Sequence, residues 1–558
     1  MVMMEVIVAV VVAGLLVYWF FFRWTAPQKR WCVMFYLTSN TPASVTPIHT
    51  PDSETGVPGA AAGASPLDQK LDQVVGVIRS LPCATEAGIA ADHDWDDVYV
   101  VYRAIWDDPF RKPEARVVRP ELSAPSAKYF PGETVFDVEY AIDFTKDLTL
   151  FFEWAYDNCP AKQYAVFFWG HAMGPAGFFQ PSEKPVVVSP LKALLMKVVF
   201  FLTGARWSGA RSVEAVSDAI ATIVQNRLRD DPEFQQEALS AALPPAGGAG
   251  SAGAAQTGVL AVGQVAPKVD VVLFQDCWMG TLETAFELQD DARYIVSSQS
   301  LVPAGFAPAA ALGAVWPYEQ LISIFLKQQN FAAPMMEELN NFFDGVGLPL
   351  GTPPDYNRYP ATKVLFSLID CGTTVGALSS AITPEYLALV QSLFPLGPDR
   401  RSTLIERNAQ QPEIAGRLFE LTGAALRVGD QALLDILTFC AYLQAPNQWP
   451  AALVVSQAEE NAVVGAAAAL QAKLAAAIVS RFQSPPAVAG SLVYTGAAVL
   501  YKPFGVWGDD PYIVGAFRSS YECLRFAQET DVTPPAPPTG ATSQRSWTQY
   551  AFDRYKWF

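Results

Sequence analysis

The chain has 558 residues, with 38 Lys and Arg against 55 Asp and Glu and a formal charge of −17, a balance that repels phosphate backbones and excludes nucleic acid as an expected partner. Apolar residues make up 51% and charged residues 17%, which excludes a disordered chain and leaves room for a large core divided over several domain-sized units. The seven cysteines form no Cys-x-x-Cys pair, so no metal ligand and no disulfide framework is assigned.

Residues 6–22 are an uninterrupted apolar run, about 26 Å long as a helix and near the short limit for a bilayer span. No Lys or Arg precedes the run, and Arg23, Lys29 and Arg30 follow it. The expectation is a retained transmembrane anchor over residues 1–24, with the bulk of the chain on the cytoplasmic side. The alternatives are a buried helix or strand, or an export signal that would place the protein outside the cytoplasm.

Beyond the anchor, WCVMFYL (residues 31–37) and VYVVYRA (98–104) read as buried strands, separated by a polar loop (38–66) and a helix over 67–81. Residues 144–158 have helical spacing, with Leu148, Phe151, Phe152 and Ala155 on one face, and Cys159-Pro160 ends the helix before a strand at 164–169. The apolar stretch 185–202 carries Lys192, Lys197 and Pro190 and reads as a packed helix, and PPAGGAGSAGAAQTG (244–258) as a flexible linker. A strand at 271–274, a helix at 281–288 and a strand at 294–298 follow. Residues 401–482 are Ala- and Leu-rich and read as helical, 491–501 as a returning strand, and 534–538 as a proline-rich loop. This alternation predicts an α/β fold with a mainly parallel sheet, in which active residues lie just past the carboxyl ends of strands.

Two residues fit that position. His171 follows the strand YAVFFWG, and Cys277 follows VVLF within FQDCWMG. They are 106 positions apart, yet adjacent strands of a parallel sheet bring such ends together. An imidazole beside a thiol can generate the thiolate and protonate a leaving amine. His93 lies in the acidic run DHDWDD and His49 in a polar Pro/Thr stretch, so neither is assigned a catalytic role.

Several segments resemble the clostripain family of cysteine peptidases, in the family's order: WCVMFYL, DLTLFFEWAYDNCPAKQYAVFFWGHAMGP, KVDVVLFQDCWMGTLETAFEL, YIVSSQSLVPAG, VWPYEQL, FSLIDC, LLDILTFCAYL and YECLRFAQET. The resemblance implies a caspase-like α/β/α sandwich and a membrane-anchored cysteine endopeptidase acting on peptides or proteins. In it Cys277 is the nucleophile, His171 the base and acid, and the backbone N–H groups of Ala172 and Cys277 the oxyanion donors. It divides the chain into an anchor (1–24), a first core half with the His motif (31–184), an insertion and linker (185–268), a second core half with the Cys motif (269–400), and a helical region with a C-terminal strand and tail (401–558). Calcium dependence is implied by the resemblance alone, because no EF-hand spacing is present. Cleavage between the two motifs during activation is implied in the same way.

Three residues depart from the family pattern. Gln275 stands where basic-specific members carry the aspartate that lines the primary specificity pocket, which implies preference for a neutral or polar residue before the cut instead of Arg or Lys. Asp276 replaces a small residue beside the nucleophile, where its charge would disfavour the thiolate. Ala172 replaces a glycine. Gln275 and Asp276 are both assigned to substrate binding, and together they also permit a second reading: a pseudopeptidase that keeps the fold to bind peptides or proteins. A membrane-tethered scaffold is the third.

Overall fold

The chain is described here by a computed structural model. It describes residues 28–38, 74, 97–105, 114–118, 144–170, 172, 174, 213–230, 268–276, 278–299, 302, 316–341, 364–371, 382–393, 432–449, 456–484, 496–502, 521 and 524–530. The apolar runs form strands: β1 (Lys29–Thr38), β2 (Val98–Ile105), β3 (Glu114–Val118), β4 (Ala161–Trp169), β5 (Val269–Phe274), β6 (Ala292–Ser298), β7 (Val364–Asp370) and β9 (Ile478–Ser484) make one eight-stranded sheet in the order β3-β2-β1-β4-β5-β6-β7-β9. The five central strands, β2 to β6 in that order, run parallel, and β3, β7 and β9 are antiparallel to their neighbours. The fold is α/β with a mostly parallel mixed sheet, as the alternation predicts. From β1 the chain first goes to β2 on one side and then to β4 on the other, so the order reverses at β1/β4, where open parallel sheets form a crevice at their carboxyl ends.

Helices cover both faces. α1 (Phe144–Asn158) buries Leu148, Phe151, Phe152 and Ala155 completely, the four residues that its spacing picks out, with Phe151 against Tyr36 of β1 at 6.1 Å between ring centroids. α2 (Val213–Asp230) lies beside α1 and buries Val216, Ala219, Ile220 and Ile223, so the segment between the two motifs contributes a core helix. α3 (Leu282–Leu288) links β5 to β6, capped by the Thr281 hydroxyl, which accepts from the Thr284 N–H. On the opposite face, α4 (Tyr318–Lys327) and α5 (Ala332–Asn341) frame an aromatic cluster in which Trp31 stacks on Phe325 at 4.8 Å and meets Phe331 edge-on at 5.2 Å. α6 (Ile382–Leu393) packs against the long C-terminal helix, α8 (Gln457–Ala477).

The helical expectation for 401–482 needs correction. Within it α7 (Ile436–Leu443) and α8 are helices, but β8 (Ala432–Asp435) and β9 are strands. The Ser456/Glu459 capping box starts α8, and the β-branched pair Ile478-Val479 takes the chain into an edge strand after Ala477. The strand expected at 491–501 is β10 (Ala498–Lys502), which pairs antiparallel with β8 in a separate two-stranded sheet. α9 (Arg525–Thr530) closes the described chain. Among the described residues no helix is long and apolar enough to cross a membrane. The apolar runs 6–22 and 185–202, the 67–81 helix except Val74, and the 244–258 linker lie outside the described residues.

Candidate active site

The register of β4 and β5 fixes the frame of the site. Phe168 pairs with Phe274, their rings stacked at 5.3 Å, and the Gln275 N–H continues the ladder by donating to the Phe168 carbonyl at 2.8 Å. His171 comes three residues after Phe168 and Cys277 three after Phe274. Both lie outside the described residues, but the strands that lead to them end side by side at the same level, beside the β1/β4 reversal. The loops beyond the strands also meet. A Cβ placed on Gly174 would lie 3.8 Å from the Trp278 carbonyl oxygen.

Immediately after Cys277, Trp278 has φ = 58°, a left-handed conformation that is costly for a bulky side chain. The residue is 4% exposed, so burial of the side chain holds this conformation in place. Gly280 then lies against the end of β6: its N–H donates to the Ser298 carbonyl at 2.7 Å, and an added Cβ would fall 2.7 Å from both Gln299 N and Ser298 C. From the other side, the Ala498 N–H donates to the Gly280 carbonyl at 3.0 Å, and Thr281 forms a parallel bridge with Ala498. The Gln299 side chain completes the clamp by donating from Nε2 to Asp435 Oδ2 and accepting the Gly496 N–H at Oε1. The stretch that follows Cys277 is therefore wedged between β6 and the two-stranded β8/β10 sheet. These supports are tertiary, and nothing in the local sequence marks Gln299, Asp435 or Gly496 as parts of the site.

Of the other residues assigned to the site, Ala172 is buried at the base of the His171 loop, and Asp276 is fully buried. Gln275 is 2% exposed. Its Oε1 accepts a hydrogen bond from the Tyr318 hydroxyl at 2.7 Å, while Nε2 has no hydrogen-bond partner among the described residues. Tyr318 belongs to VWPYEQL, and the Pro317 that precedes α4 is the only sequence cue to its position.

Four other cysteines, Cys32, Cys159, Cys371 and Cys440, are buried thiols. Burial pushes Cys371 and Cys440 up to about 12 and Cys32 well above its ordinary range, with the Lys29 charge opposing the shift at Cys32. These three stay protonated and inert at neutral pH. Among the described residues no group of three or more His, Cys, Asp or Glu side chains could hold a metal ion.

Residues 257–333, which include Cys277, match the model of the clostripain family. No curated protein matches the chain. Similar solved structures include a secreted C11 cysteine protease from Bacteroides thetaiotaomicron, at 12% identity and TM-score 0.43 over 90% of this chain and 99% of that one. An inactive zymogen C11 protease from Parabacteroides distasonis is similar at 12% identity and TM-score 0.41, over 90% and 99%. A clostripain from Bacteroides thetaiotaomicron in complex with a peptide inhibitor is similar at 14% identity and TM-score 0.26, over 47% and 87%.

Proposed function

We propose that the protein is a clostripain-like cysteine endopeptidase on a caspase-like framework, with Cys277 as nucleophile and His171 as its base and acid. The observation that carries this reading is the equal offset of His171 and Cys277 from the paired residues Phe168 and Phe274. Adjacent strands are about 4.8 Å apart, and side chains leaving them at the same level come within reach of one another. In the reaction, His171 accepts the Cys277 proton and the thiolate attacks the scissile carbonyl carbon. The backbone N–H groups of Ala172 and Cys277 hold the oxyanion. Collapse of the intermediate breaks the C–N bond, and His171 gives its proton to the departing amine. Water, deprotonated by His171, then attacks the thioester and releases the acid with Cys277 again protonated. The fixed reversal at Trp278 supports the reading, since it gives the nucleophile loop one backbone geometry before substrate arrives.

A thiol-reactive peptidyl probe tests the assignment. It should label the wild type at Cys277 and leave Cys277→Ala unlabelled, while His171→Ala slows labelling at least a hundredfold and abolishes peptide cleavage with it. Full activity in either variant rules out the dyad. The fully buried carboxyl of Asp276, next to Cys277, favours a second reading in which the protein binds peptides without cutting them. Saturable peptide binding by a wild type that neither cleaves nor labels would establish it. Membrane anchoring through residues 6–22, with the catalytic part cytoplasmic, belongs to the same proposal and rests on the apolar run and the cations after it. Carbonate-washed membranes should retain the full chain, and protease added outside intact cells should leave it uncut.

A further inference from the structure

The side chain of Gln275 is almost wholly buried, yet only one of its two polar ends is occupied by a described group. An amide offers an acceptor oxygen and two N–H donors. Tyr318 takes the oxygen, and the donor end has no partner among the described residues. Tyr318 is 1% exposed, with its ring edge-on to Phe35 at 5.1 Å and tilted against Phe167 at 6.4 Å, which holds the hydroxyl against the Gln275 amide. Burial also pushes the phenol well above its usual range, which keeps it a neutral donor.

The position of the unmet donor gives it a use. The Gln275 backbone continues the β5 ladder, which puts its side chain on the α4 face, two residues short of Cys277 and about 7 Å from it along an extended chain. A residue whose carbonyl meets Cys277 can reach that distance with one long side chain. We propose that the site beside Cys277 selects glutamine before the cleaved bond, through a hydrogen bond from Gln275 Nε2 to the substrate's amide oxygen, and that Tyr318 sets this choice by occupying the acceptor end of Gln275. The proposal rests on the peptidase reading above. Lysine and arginine would set donors against a donor. A carboxylate would be buried against a neutral group, whereas a neutral carbonyl carries no such penalty. Methionine matches glutamine in length but offers no comparable acceptor, so it leaves the donor unmet.

The test uses the full chain and peptides that differ only in the residue before the cut. Glutamine should exceed methionine at least tenfold in kcat/KM, with arginine weakest. In Tyr318→Phe and in Gln275→Met the glutamine-to-methionine ratio should fall below threefold, a readout that general weakening of the enzyme does not move. Equal cleavage after glutamine and methionine, preference for arginine or lysine, or an unchanged ratio in both variants overturns the proposal. Where no peptide is cleaved, the same ratio is read from binding of peptides ending in glutamine or methionine to Cys277→Ala. Tenfold preference for glutamine there upholds the specificity and overturns only the peptidase reading. Equal binding, or none, overturns the specificity itself.

Discussion

Two buried polar clusters lie on opposite faces of the sheet beside the same residue, Phe168. On the α1 face, the Asp147 carboxylate accepts hydrogen bonds from Tyr36 Oη at 2.8 Å and Arg103 Nε at 3.2 Å, and forms an ion pair with Arg103 Nη2. On the α4 face, Tyr318 and Gln275 form a neutral pair that leaves the amide nitrogen unmet among the described residues. The charged cluster joins β1 and β2 to the first turn of α1 and has one geometry. The neutral one has spare donors at the edge that carries the candidate nucleophile. Buried charge is tolerated where every oxygen of the carboxylate is in use, and an unmet polar group persists where something from outside can meet it.

The largest effect should come from breaking the charged side. Asp147→Ala removes the acceptor for Tyr36 and leaves the Arg103 cation, 1% exposed, without this carboxylate. Removal of one partner of a buried pair costs about 3–5 kcal/mol. Chemical denaturation should give a loss of that size, and Arg103→Met combined with Asp147→Leu should recover most of it. A loss under about 1 kcal/mol in the single variant would mean that the cluster is hydrated and does not anchor α1.

The loop that follows Cys277 is held between β6 and β10, and Gly280 is its tightest point. In Gly280→Ala the new methyl meets backbone atoms at 2.7 Å, so β6 or the loop has to move. Overpacking of this kind costs about 1–3 kcal/mol. Because the displaced segment follows Cys277, peptide cleavage should fall further than stability accounts for, by about tenfold or more in kcat at temperatures where the variant remains folded. Unchanged kcat with lowered stability would make the wedge purely structural.

How much of this was legible in the sequence depends on the range of the forces involved. The central strands were legible because a run such as WCVMFYL is buried on both faces, and α1 matched to the residue because its apolar stripe and Cys159-Pro160 are local. The strand Ile478–Ser484 was missed because the alanine-rich helix before it dominates the composition, although the β-branched Ile478-Val479 mark the change. The parallel pairing of β4 and β5, the strands that lead to His171 and Cys277, was legible from the alternation of strands and helices. Tyr318 on Gln275, Gln299 on Asp435 and Gly496, and Arg103 on Asp147 were not, since each pairs residues far apart in sequence whose meeting only the assembled sheet determines.

The smallest effect should come from a partly buried carboxyl, at the opposite end of the sheet from the site. Asp291 precedes β6 and accepts a hydrogen bond from the Ser217 hydroxyl of α2, but unlike Asp147 it receives no direct hydrogen bond from a cation among the described residues. Burial pushes it up to about 6; the Ser217 bond opposes the shift, Asp290 adds to it, and the more distant charges of Arg525 and Lys268 lower it. A carboxyl raised in the folded state binds its proton more tightly there than in the unfolded chain. Its contribution is therefore fully present below the unfolded value near 4 and is lost as pH rises through about 6. Asp291→Asn keeps a carbonyl acceptor for Ser217 and removes the titration. Because the group is only partly buried, the variant should gain about 1 kcal/mol over the wild type between pH 4 and pH 7, less than the full shift would give. Thermal melts across that range check it. Curves that stay parallel from pH 4 to pH 7 would mean that Asp291 is hydrated in the folded protein, and would leave Asp147 and Gln275 as the two ends of the comparison with nothing between them.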